Sequence, residues 1–152
     1  MKKQKNKKIL IFLILLTLAF IFGNSIADRE QSARESSWVL MMVQPFLEFF
    51  FGKGNVTEHL VRKLAHFSEF TLLGFELFLF FRLQLSSARR GILLAVSHGL
   101  FAALTDETIQ IFSHRGPQIP DVWLDTSGAV FGACAGLFLL WVCSSCSAHK
   151  KT

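Results

Sequence analysis

His66 and Glu69 stand three residues apart, Asp106 and Glu107 are adjacent with Gln110 one helical turn on, and Asp121 and Asp125 are four apart. Arg62, Lys63 and Arg115 accompany them. An imidazole and carboxylates in this number can move protons, hold a divalent cation or a cationic head group, or simply lock helices together as ion pairs. Arg62, His66, Glu69 and Glu76 follow the i, i+4, i+7, i+14 spacing of one helical stripe. Asp106 and Glu107 would point about 100° apart on a helix and so address different neighbours. Glu69, Asp106, Glu107, Asp121 and Asp125 outnumber Arg62, Lys63 and Arg115. That excess calls for a neutral carboxyl, a protonated His66, a bound cation or a cationic ligand.

The elements that must position these groups are long and apolar. The chain has 152 residues, 51% of them apolar and 18% charged, with 17 Phe and no Tyr. A soluble domain carries about 25% charged residues; the apolar excess rules out a disordered chain and argues against an ordinary soluble domain. Four runs approach the roughly 20 apolar residues that cross a bilayer: about 9–26, 64–81, 91–112 and 122–143. The expected fold is all-α, a single polytopic membrane domain over 1–152 with four transmembrane helices. Because runs two to four carry acids, those faces must meet a bundle interior or a wet cavity.

The net charge is +5, which alone could suit nucleic acid. Its placement argues against that partner, since the basic residues flank the apolar runs. Lys2, Lys3, Lys5, Lys7, Lys8, Arg82, Arg89, Arg90, Lys150 and Lys151 fall on one side of the predicted topology, against six basic residues on the other. None of the acidic residues lies in the richer segments. By the positive-inside rule both termini are cytoplasmic. The N-terminal run, ending in Ser25-Ile26-Ala27, also reads as a signal peptide, and cleavage there would leave three spans in the same orientation.

With that orientation, Glu69 lies about 7.5 Å, Asp106 about 9 Å and Asp125 about 4.5 Å inside the outer ends of their runs, at 1.5 Å per residue. Three helices therefore bring carboxylates to one level. Each would cost about 2.5–3.5 kcal/mol or more against lipid, so the simplest arrangement has them meet. A self-satisfied ion-pair network explains the pattern as well as a functional site does.

Between runs one and two, 38–51 is apolar but broken by Pro45 and Glu48. It is too short to span and either lies in the interface or packs over the bundle mouth. Gly52-Lys53-Gly54-Asn55 reads as a turn, with Asn55 able to cap the next helix. Gly128, Gly132 and Gly136 recur every four residues and let another backbone approach closely, within the chain or in a homo-oligomer. Cys143, Cys146 and His149 lack the fourth ligand of a structural zinc site and read as ordinary thiols and an imidazole at the membrane edge; no metal site is assigned.

The same residues resemble a known family. Arg62-Lys63-Leu64-Ala65-His66-Phe67-Ser68-Glu69-Phe70, Thr105-Asp106-Glu107-Thr108-Ile109-Gln110 with Arg115, and Asp121-Val122-Trp123-Leu124-Asp125-Thr126-Ser127-Gly128 are similar to three boxes of VanZ-like proteins. Phe22-Gly23-Asn24-Ser25 resembles the small, polar ending of that family's first span. Asp125 stands where the family usually has Asn, and Phe70 where Tyr is commoner. The resemblance implies a bacterial cytoplasmic-membrane protein connected with low-level teicoplanin and lipoglycopeptide resistance. It lends no reaction. It marks Arg62, His66, Glu69, Asp106, Glu107, Gln110, Arg115, Asp121 and Asp125 as the candidate functional positions.

Three functions compete. A non-enzymatic envelope protein would bind a membrane lipid or a lipidated antibiotic at the acid-rich level. A membrane-embedded enzyme would use His66, Glu69, Asp106 and Glu107 on a lipid-linked envelope substrate. A transporter would relay protons through them. The chain has no HExxH, GxSxG or phosphate-cradling glycine loop, and no internal repeat, which favours the first. No cofactor is required, although a divalent cation would fit the acidic excess.

Overall fold

The computed structural model describes residues 2–26, 29–52, 54, 56–113 and 118–149. They form five helices: α1 (Lys2–Ile26), α2 (Arg29–Phe51), α3 (Glu58–Gln84), α4 (Ala88–Phe112) and α5 (Ile119–His149). Among the described residues there is no strand. The chain is an all-helical, multi-pass membrane protein: α1, α3, α4 and α5 are each long and apolar enough to cross a bilayer. Each extends beyond the apolar run that predicted it. The added turns are polar, and hydropathy alone cannot see a helix that continues into water.

Local chemistry sets the ends. Gly52 and Gly54 take positive φ values of 85° and 81°, which only glycine adopts without strain. The cap of α3 is Thr57, whose hydroxyl accepts the Leu60 N–H, so the capping role expected of Asn55 falls two residues later. At the far end of α3, Arg82 Nη1 donates to the carbonyls of Leu85 at 2.6 Å and Ser86 at 3.0 Å. A cation there satisfies carbonyls that a helix terminus leaves open. Ser87 caps α4 three residues after α3 ends, which forces the two helices to run antiparallel.

α3 and α5 pack most intimately, with α4 against both and α1 against α3 and α4. Small residues make this possible. A Cβ on Gly128 would lie 2.6 Å from the Phe67 carbonyl oxygen, one on Gly132 1.9 Å from that of Thr71, and one on Gly136 2.6 Å from the Phe78 ring. The partner of this glycine face is a helix of the same chain. Ala129 is approached from two sides: a Cβ on Gly74 of α3 would lie 2.1 Å from its carbonyl oxygen, and one on Gly99 of α4 2.5 Å from its methyl group. The interior between them is Phe70, Leu73, Leu77, Phe78 and a set of alanines.

The outside is apolar as well. Phe12, Phe20, Phe101, Phe131 and Phe138 are exposed, which suits contact with lipid. Trp123 and Trp141 are 70% and 63% exposed near the two ends of the apolar stretch of α5. Their separation of about 27 Å along the helix matches the ~30 Å hydrocarbon layer that interfacial tryptophans flank. α2 differs. It is helical through Pro45, packs on α3, and keeps Trp38, Met42, Phe46 and Phe49 exposed along one stripe. That is the face an interfacial helix presents.

Candidate functional site

The antiparallel arrangement places the end of α1, the start of α3, the end of α4 and the start of α5 together. The Lys7 ammonium, over the Phe80 ring at 5.8 Å, and Arg82 mark the opposite end.

Asp106 is the hub. It is 0% exposed, and both its oxygens are engaged. The Ser25 hydroxyl donates to Oδ1 at 2.5 Å, and the Gln110 amide, one turn on, donates to Oδ2 at 2.8 Å. His66 Nδ1 stands 3.9 Å from Oδ2, an ion-pair distance when the imidazole is protonated. Residues of α1, α3 and α4 thus converge on one carboxylate. The Ser113 hydroxyl donates to the Ser25 carbonyl at 2.9 Å and ties the two helix ends together.

The neighbouring acids have separate partners. Glu69 Oε1 accepts from the Asn24 amide at 3.1 Å, while its Oε2 is buried without a hydrogen-bond partner. Glu107 turns away from Asp106, and its Oε2 accepts the Gln118 backbone N–H at 2.9 Å, fastening the chain just before α5. Asp121 pairs with Lys63 at 3.0 Å, in a contact about one-third exposed. Asp125 is 1% exposed, with Oδ1 lacking a hydrogen-bond partner. One donor atom each from His66, Asp106 and Asp125 lie within 4.8 Å of one another, close enough for a shared metal ion. Two expected members stand apart or out of view. Arg62 contacts His59 Nδ1 at 3.1 Å, and Arg115 lies outside the described residues.

The first helix contributes more than the sequence reading assigned to it. Asn24 and Ser25 hold two of the acids, and Thr17 donates to Glu76 Oε2 at 3.0 Å deeper in the bundle. Glu76 therefore sits below the cluster, although it shares its stripe. The signal was a polar pair ending an otherwise apolar run. Its value depends on which residues face inward, and the smooth hydropathy of α1 does not disclose that.

A groove of about 510 Å³ runs between α1 and α3, lined by Leu16, Thr17, Phe20, Ser68, Glu69 and Leu72. The surface it exposes is apolar throughout; the Glu69 carboxylate is turned away, one oxygen held by Asn24 and the other buried.

A family model described as VanZ/LLP1 matches residues 10–142, most of the chain and all four membrane-length helices in their greater part. The chain belongs to the VanZ/LLP1 family. No curated protein and no solved structure matches it. The match spans every residue of the cluster, from Asn24 and Ser25 to Asp125.

Proposed function

We propose that this is a bacterial cytoplasmic-membrane protein that lowers susceptibility to teicoplanin and related lipoglycopeptides through the polar cluster, held just below the outer surface with both termini inside the cell. One observation carries the reading: His66, Glu69, Asp106, Glu107 and Asp125 converge at one end of the bundle, opposite the lysine-rich start of α1. The positive-inside rule puts the lysines in the cytoplasm and the acids outside. Family membership supports the resistance class. The apolar groove between α1 and α3 supports a ligand with an apolar chain, such as a membrane lipid or a lipidated antibiotic. α2, with its exposed aromatic stripe, would lie along the same outer interface.

The test expresses wild type and Glu107→Ala at equal level in a susceptible Gram-positive host. Teicoplanin, vancomycin and telavancin-like compounds are then compared. Protection by wild type alone supports the reading, and equal susceptibility of wild type and empty vector contradicts it. A second reading, a membrane-embedded enzyme acting on a lipid-linked envelope substrate, is favoured by the mixed imidazole and carboxylate donors of His66, Asp106 and Asp125. Lipid mass spectrometry on the same strains separates the two, since an enzyme changes the lipid inventory.

A further inference from the structure

We propose that His66, Asp106 and Asp125 bind a divalent transition-metal ion, of the zinc or manganese class, where α3, α4 and α5 meet. The inference deepens the reading of this cluster as the working site and is tested by a separate readout.

Three helices each supply one donor atom, and all three atoms lie within 4.8 Å of one another. Ligands about 2.0–2.2 Å from a common ion are at most about 4.4 Å apart. His66 Nδ1 and Asp106 Oδ2, at 3.9 Å, already fall inside that limit. The other pairs, within 4.8 Å, need to close by at most about 0.4 Å to meet it.

A separate observation points to a ligand. Asp125 is 1% exposed, yet its Oδ1 accepts no hydrogen bond. A buried carboxylate oxygen is ordinarily paired, and the cost of leaving it bare rises when another carboxylate faces it in a low-dielectric interior. Among the described residues, Lys63 pairs with Asp121 and Arg62 contacts His59, and neither forms an ion pair with Asp106 or Asp125. The donors to Asp106, the Ser25 hydroxyl and the Gln110 amide, are both neutral. They orient the carboxylate, as outer-shell groups orient a metal ligand, without supplying positive charge. A divalent ion supplies it.

The donor set selects the class of ion. Magnesium and calcium prefer oxygen ligands, whereas one imidazole with two carboxylates suits zinc, manganese or ferrous iron. Three protein ligands leave coordination positions for water or for an anionic head group.

Tag-free full-length protein, purified in detergent and dialysed against metal-free buffer, is assayed for metal by mass spectrometry, then titrated with Zn²⁺ and with Mn²⁺ while its thermal midpoint is followed. One of these ions is expected to be retained or to raise the midpoint, since an ion that binds only the folded chain stabilises it. His66→Ala and Asp125→Ala should lose both the retained ion and the shift. Gln110→Leu should weaken binding by about 10- to 100-fold, as expected when an outer-shell partner is removed. Glu76→Gln, away from the site, should bind as wild type does. Helical circular dichroism confirms that each variant is folded. Folded wild type that retains no ion and shows no shift with either overturns the proposal, as does full binding by folded His66→Ala. Protection from teicoplanin without metal would remove the ion and leave the resistance reading standing. Metal binding without protection would do the reverse.

Discussion

Two stretches of α5, one turn apart, are built to opposite rules. From Asp121 to Asp125 the helix carries acids, and its neighbours reach it through side chains: Lys63 to Asp121, with His66 and Asp106 beside Asp125. From Gly128 to Gly136 it carries almost no side chain on that face, and the backbone of α3 packs directly against it. The glycine seam fixes where α3 stands relative to α5. The acidic turn uses that fixed position to gather groups that would be expensive to place anywhere else in a membrane. If this division holds, changes to the seam should remove the protein, and loss of a charge on which the gathered cluster depends should remove its action while leaving the protein in place.

The largest effect is expected at the seam. Gly132→Leu must push the Thr71 backbone away from a position 1.9 Å from the new Cβ, and backbone cannot rotate aside. A loss of at least about 3 kcal/mol follows, at the upper end of overpacking penalties. Membrane abundance by immunoblot should fall severalfold or more. Normal abundance with lost protection would place a site on the glycine face and break the comparison.

Next come the acids. Glu107→Gln should accumulate normally and lose protection. Asp125→Asn keeps the shape and one oxygen that can still accept a hydrogen bond or reach an ion, and matches the residue that the family resemblance favours, so it should retain most protection. If it is as damaging as Glu107→Gln, Asp125 works through its full charge.

Smaller effects sharpen the boundary. Thr17→Val removes the hydroxyl that donates to buried Glu76 and should cost about 1–3 kcal/mol in thermal stability, with protection scaled to the remaining folded protein. Lys63→Gln breaks a contact about one-third exposed and should cost at most about 1 kcal/mol. Cysteine labelling checks the orientation on which the outer-leaflet placement depends. A membrane-impermeant reagent added outside should reach Lys53→Cys and not Ser87→Cys, and the opposite pattern would invert the topology.

Four apolar runs, the acids on three of them and the glycine period of α5 were legible, because length, charge and spacing are written directly in a sequence. The level argument anticipated that Glu69, Asp106 and Asp125 belong to neighbouring helices at one depth, since buried charge leaves few other arrangements. The contribution of α1 was harder to see. Asn24 and Ser25 are short polar residues whose partners lie 45 and 81 positions away, so no local pattern pairs them. Gly74 and Gly99 were equally opaque, because a lone glycine has no period and its close approach exists only once α3, α4 and α5 are assembled. The helical character of 29–51 was obscured by Pro45, which removes one backbone donor without ending the helix.

The central claim is that the hub carboxylate serves function as well as packing. Asp106→Asn measures this most directly, because it preserves size and removes the charge that four neighbouring groups surround. Teicoplanin susceptibility is compared between wild type and Asp106→Asn in one host, at membrane abundances matched by immunoblot. The account predicts that Asp106→Asn falls to the susceptibility of the empty vector. Protection equal to wild type at equal abundance would make the cluster a packing network and place the functional site elsewhere.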